Sequence, residues 1–126
     1  MTIASQGKAA RPQSFHTSAT TEDVAATLYT CPANCRAEVT MLLIVNKNGN
    51  TTVNVTWEDA NNPFNPSDIS AAILGSKNMV QGDYVLLTGA TLVLESGDTI
   101  AITPSGQATP HIDGICTVTE TFIPVG

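Results

Sequence analysis

The stretch Leu92-Val93-Leu94-Glu95-Ser96-Gly97-Asp98-Thr99-Ile100-Ala101-Ile102 sets the tightest limit on what this chain can fold into. Leu92 and Leu94 precede a Ser-Gly-Asp reversal, and Ile100 and Ile102 follow it, so each run alternates apolar side chains with period two. Such alternation turns one face of a strand to a core and the other to water, while Gly and Asp supply the backbone freedom of a tight turn. The stretch reads as a β-hairpin. Its two acids, Glu95 and Asp98, could be taken for the carboxylate pair of a glycoside hydrolase, which must straddle a substrate bond. No aromatic platform accompanies them, and a turn-stabilising role is the better reading.

Composition extends this to the whole chain. With 126 residues there is room for one domain, and 42% hydrophobic residues suffice for a core, yet only 13% are charged. Sparse charge with abundant Thr, Val, Ile and Asn suits pleated sheets better than helices. The net charge of -6 is uneven: Lys8 and Arg11 give +2 through Thr21, and the remainder carries three basic residues against eleven acids. An acidic body argues against a phosphate-binding surface, so no nucleic-acid partner is expected. No apolar run approaches the roughly 20 residues needed to span a bilayer, and no secretory signal is evident, so no membrane partner is expected either. Folding in a reducing cytoplasm makes Cys31, Cys35 and Cys116 thiols, with a Cys31 to Cys35 bridge open only in an oxidising medium.

Taken in order, residues 1–27 form an extended N-terminal arm, poor in large apolar anchors apart from Ile3 and Phe15 and therefore dependent on a neighbour for order. A helical turn could start at Thr21-Glu22-Asp23. Residues 28–126 form the folded domain. A first strand over Ala26–Cys31 ends at Pro32. Arg36–Asn46 follows, and its five consecutive apolar residues, Met41–Val45, predict a strand covered on both faces, either central in a sandwich or at a subunit interface. Asn48-Gly49 predicts a two-residue type I′ turn joining it to Thr51–Glu58 as its partner. A loop spans Asp59–Ser67, and Asp68–Gly75 fits a strand or a short helix capped by Ser67. Met79-Val80 and Tyr84–Leu87 suggest a strand pair, Gly89 a turn into the Leu92 run, and Ile112–Ile123 a long closing strand. The fold class is all-β: a single antiparallel β-sandwich or jelly-roll-like domain carrying an extended arm.

Candidate chemistry is thin. His111-Ile112-Asp113 places an acid beside an imidazole, as in a general base with a fixed tautomer, but no nucleophile is evident and His16 lies in the arm. Cys31-x-x-x-Cys35 with Cys116 and a histidine lacks the tight CxxC spacing of structural zinc. Glu58, Asp59, Asn61 and Asn62 offer oxygen ligands without the spacing of a calcium loop, and Asx-rich turns account for them. No catalytic, cofactor-binding or metal residue is assigned, no cofactor is expected, and the chain reads as a non-enzyme.

Three stretches together carry a resemblance: Leu28-Tyr29-Thr30-Cys31-Pro32-Ala33, then Glu38–Asn46 with its Asn-Gly reversal, then Leu92–Ile100. Over Leu28–Ile123 the chain resembles the small β-sandwich virion structural proteins, decoration or tail-associated, of tailed bacteriophages, with Asn34 where many have a glycine. The resemblance implies a capsid decoration (cement) protein that bridges capsid subunits, located on the virion after assembly in the host cytoplasm. Its partners would be the major capsid protein or other virion proteins, with a homo-oligomer expected. The alternative is a tail or fibre-associated module that binds a host glycan or another tail protein, marked by exposed aromatics around Trp57, Phe64 or Tyr84.

Overall fold

The alternation becomes strand, without helix, throughout residues 10–60 and 70–123, the part of the chain that the computed structural model describes. Eight strands follow one another: β1 (Ala10–Ala19), β2 (Ala26–Thr30), β3 (Cys35–Asn46), β4 (Thr51–Glu58), β5 (Ser70–Met79), β6 (Tyr84–Glu95), β7 (Thr99–Ser105) and β8 (Ile112–Phe122). They form two four-stranded sheets, β1-β8-β3-β6 (sheet A) and β2-β7-β4-β5 (sheet B), paired antiparallel throughout. The expected all-β antiparallel sandwich is therefore what forms, and the interleaved strand order is that of a jelly roll.

The core lies between the sheets. Sheet A contributes Ala37, Val39, Leu42, Ile44, Leu94, Cys116 and Val118, and sheet B contributes Leu28, Val53, Val55, Ile100 and Ile102, all buried. Thr and Asn fill the outward positions of β4, so its period two separates core from water cleanly. Gly114 on β8 is the point of closest approach. A Cβ there would collide with Cδ1 of Ile102 while meeting Leu28 and Ile44 at ordinary contact distance.

Several connections differ from the sequence reading. β6 and β7 belong to different sheets, so the Leu92–Ile102 stretch is an arch across the sandwich and not a hairpin. Its turn pairs instead with Cys31: the Cys31 N–H donates to the Asp98 carbonyl and the Gly97 N–H to the Cys31 carbonyl, both at 2.9 Å. β3 and β4 are likewise unpaired. β3 lies between β6 and β8, and β4 between β5 and β7. The Asn48-Gly49 reversal is not type I′, which needs positive φ at both central residues; Gly49 has φ 60°, whereas Asn48 is not among the positive-φ residues. Buried Asn46 shapes this arch, its Nδ2 donating to the carbonyls of Gly49 (2.6 Å) and Met79 (2.8 Å) and its Oδ1 accepting from the Asn48 N–H (3.1 Å).

The segment read as an arm also differs. Residues 10–19 are an edge strand of sheet A, in continuous register with β8 from Ala10↔Thr121 to Ala19↔Ile112. Side-chain bonds hold it there: the Ser14 and Thr117 hydroxyls meet at 2.9 Å, Gln13 Nε2 donates to Glu120 at 2.9 Å, and Phe15 packs on Tyr29 with ring centroids 4.8 Å apart. At Asp23 the chain makes a turn in left-handed conformation, φ 61°, and not a helix start. Gly89 is not a turn either. It sits within β6 at φ 77°, where the register with β3 breaks between Val39 and Met41, and a glycine absorbs this bulge at low cost. Over its described residues, the segment read as strand or helix is strand β5, and the expected loop and its Phe64 fall mostly outside the described residues.

Gly114→Ala is expected to lower the unfolding free energy by about 1–3 kcal/mol through overpacking, read as a fall in urea midpoint at unchanged slope.

Candidate assembly surface

The most heavily bonded acid is structural. Asp98, 2% exposed, accepts from the Ala60 N–H at 3.0 Å through Oδ1, and from the Glu95 N–H at 3.0 Å and Trp57 Nε1 at 3.4 Å through Oδ2. A carboxylate so enclosed, with its lone pairs engaged, ties the β6–β7 arch to the end of β4 and does not face a substrate with Glu95. Trp57 is thereby half-buried at the Asp98 end of sheet B. Tyr84, 65% exposed, stands at the opposite end on sheet A, so the two do not form an aromatic cluster.

His111 does meet Asp113, Nε2 to Oδ1 at 3.1 Å, and Ser18 Oγ donates to the same oxygen at 2.6 Å. The order of groups is wrong for a Ser–His relay, since the carboxylate occupies the centre and takes both hydrogens. Burial alone would raise the Asp113 pKa, but the Ser18 hydroxyl, the Lys47 ammonium 3.5 Å away and His111 outweigh it and hold the carboxyl below the usual range. A weakly basic carboxylate is a poor proton acceptor for Ser18. His16 is exposed on β1, in the same cross-strand row as Ile115.

Cys116 pairs with Phe15, one position from His16, but faces the core while His16 is exposed on the other side of the sheet. Cys35 opens β3, paired with Phe122, whereas Ile112, next to His111, pairs with Asn46 at the far end. Cys31 and Cys116 face the core, and burial pushes each thiol up to about 11. Cys35 is half-buried, and desolvation raises its pKa as well. The three are free thiols, and among the described residues no cluster of three metal-ligating groups forms. Glu58 accepts from the Thr99 hydroxyl at 3.0 Å, while Asn61 and Asn62 lie outside the described residues. Burial and the Glu120 carboxylate, which accepts the Tyr29 hydroxyl at 2.6 Å, raise the Tyr29 pKa.

Cavities add little chemistry. One of about 330 Å³ is lined by Asn50, Thr51, Thr52, Asn78, Met79, Val80 and Gly106. None of these ionises near neutral pH, so it offers hydroxyls and amides without an acid, base or activated nucleophile. A smaller one of about 160 Å³ adjoins Ser18 and Asp113, whose bonds are described above.

The outer faces of the two sheets differ sharply. On sheet B the outward positions of the central strands β4 and β7 carry half-buried Thr52, Asn54, Thr56, Thr99, Thr103 and Ser105, with Ala101 among them buried, a small and mostly hydroxylated set. On sheet A the outward positions at the Asn46 end carry Met41, Leu43 and Val45 from β3, Ile115 from β8, and Tyr84 and Leu86 from β6. Leu86, Leu43 and Ile115 form one cross-strand row, with Leu86 51% exposed. In this half of the face the charge is that of Asp113, opposite Val45 and paired with Lys47; at the other end of β3 the outward positions carry exposed Arg36 and Glu38. The two-sided run predicted from Met41–Val45 is thus central in its sheet, and within the described residues its outer side is not covered by the chain itself.

No protein-family model and no curated protein sequence matches the chain. Among solved structures it is similar to a subunit of Bacillus endospore appendages, described as a novel family of disulfide-linked pili, at 15% identity and TM-score 0.47, covering 98% of both chains. It is also similar to a protein of infectious bursal disease virus strain Gt, at 13% identity and TM-score 0.48, over 92% of this chain and 34% of that one. The VP2 subviral particle of the same virus matches at 13% identity and TM-score 0.44, over 95% of this chain and 39% of VP2. At such identities and TM-scores these likenesses bear on neither activity nor partner.

Two outcomes follow from this geometry. Asp98→Ala strands buried donors and is expected to cost about 2–3 kcal/mol in urea unfolding. In thiol titration at pH 8, Cys31 and Cys116 are expected to react only on unfolding, with Cys35 reacting first in the native protein and all three in denaturant.

Proposed function

We propose that this chain is a non-enzymatic structural protein of a tailed-phage virion, a decoration (cement) protein that stabilises the head by bridging capsid subunits. The observation that carries this reading is the asymmetry of the sandwich. The outer positions of the central strands of sheet B carry mostly Thr, Asn and Ser, whereas the Asn46-end half of the outer face of sheet A presents exposed Leu86 beside half-buried Leu43 and Ile115, with Arg36 and Glu38 at the other end of β3. Burying apolar area yields about 25 cal/mol per Å² removed from water, so such a face gains most by lying against another protein. The acidic body disfavours a nucleic-acid partner. On this reading the sheet A face rests on the major capsid protein where subunits meet. A modest contact repeated over a shell, by an oligomer that touches several subunits at once, is strengthened through effective concentration. The hydrogen-bonded acids Asp98 and Asp113 then hold the scaffold and take no part in chemistry.

The test is co-sedimentation with particles stripped of this protein. Leu43→Lys and Ile115→Lys are each expected to weaken attachment about tenfold or more, while Thr56→Lys on the outer face of sheet B leaves it unchanged. Equal attachment by all three variants would contradict the proposal.

A further inference from the structure

Each sheet has two edge strands, and three of the four are blunted in the ways that prevent edge-to-edge pairing. β1 carries Arg11 and Pro12. β2 has only five residues and a register break between Thr27 and Tyr29. β5 carries Lys77, breaks register on either side of Val55, and holds Ser76 at φ 49°. β6 is different: it runs 12 residues, and from Tyr84 through Leu94 contains neither a charge nor a proline. Its one irregularity, the bulge at Gly89, leaves Tyr84–Thr88 as a regular segment that, among the described residues, pairs with β3 on one side only.

A second observation marks the same segment. Leu87 is the register partner of Leu42, which is 4% exposed, so its side chain points to the core side of sheet A; yet Leu87 is 40% exposed. Val85, the partner of buried Ile44, is only half-buried. The sandwich is therefore open along this stretch of β6, with inward-pointing apolar groups still in water.

We propose that the Tyr84–Thr88 edge of β6 pairs antiparallel with the same edge of a second copy of this chain, about a twofold axis at Leu86. The inference deepens the assembly reading above and rests on it. The segment is self-complementary, which selects a second copy: with -6 on each chain, this edge is one where two copies can pair without adding a local charge clash to their net repulsion. Centred on Leu86, the pairing sets Tyr84 opposite Thr88 and Asp83 opposite Gly89, with no acid facing an acid. Val85 of each copy then meets the partner's Leu87 and closes the open seam. On the outer face the Leu86–Leu43–Ile115 rows of both copies join into one apolar strip across an eight-stranded sheet. An isologous contact of this kind is the commonest way for identical chains to associate.

The test has two arms, both on the full chain. Leu86→Cys in a Cys35→Ser background, oxidised with diamide, is expected to give a disulfide-linked dimer, since residues facing each other across an antiparallel pair lie within disulfide reach. Thr56→Cys in the same background serves as the control and stays monomeric. In light scattering, wild type is expected as a dimer, and Leu86→Lys is expected to raise the dissociation constant at least tenfold with an unchanged melting temperature. No cross-link at Leu86, or a dimer indifferent to Leu86→Lys, would overturn the pairing. A monomeric wild type would overturn it too, while leaving the capsid reading to stand or fall on the attachment of Leu43→Lys to stripped particles.

Discussion

The buried carboxylate of Asp98 decides how the two sheets are joined. By accepting hydrogens from Glu95, Trp57 and Ala60, it fixes the reversal between β6 and β7 as an arch and fastens that arch to the end of β4 in the opposite sheet. Asn46 does the same work at the other end, where its carboxamide joins the β3–β4 arch to the carbonyl of Met79 before the β5–β6 arch. Between these two points the core needs only the alternation of Val, Leu and Ile. Polar groups with every hydrogen bond made give the fold its connectivity, and apolar burial gives it most of its free energy.

Strand identity was legible in the chain, but strand partnership was not. Period two around Val53, Val55, Ile100 and Ile102, and around Cys116 and Val118, marked which side chains enter the core, and all of these are buried. Asn48-Gly49 and Ser96-Gly97-Asp98 marked reversals, yet a reversal signal is the same whether the next strand returns beside its predecessor or across the sandwich. What separates the two cases is the fate of Asn46 and Asp98, and a polar residue beside a turn looks solvated until its partners, 33 and 38 positions away, are known. β1 was hidden for a related reason. Its Ser14, Ser18 and Gln13 bond to Thr117, Asp113 and Glu120 on β8, so hydroxyl and amide contacts do the work for which the sequence shows too few large apolar groups.

The candidate surface was half legible. Five apolar residues in a row, Met41–Val45, predicted cover on both faces of one strand; β3 is central in its sheet and its inner face meets the core, while within the described residues its outer face is not covered by the chain itself. The alignment of Leu86, Leu43 and Ile115 into one outward row depends on registers that no local pattern encodes. The acids that first suggested chemistry, Glu95 with Asp98 and His111 with Asp113, become scaffold once their bonds are counted. What is left over after folding is an apolar face and an unblunted strand edge, and both are features of a part built to meet other parts.

The measurement that bears most directly on this account is the location and copy number of the protein in a purified particle, by quantitative mass spectrometry together with imaging. The account predicts hundreds of copies distributed over the head, with the Leu43 face of sheet A against the shell. A handful of copies confined to a vertex or the tail would contradict it.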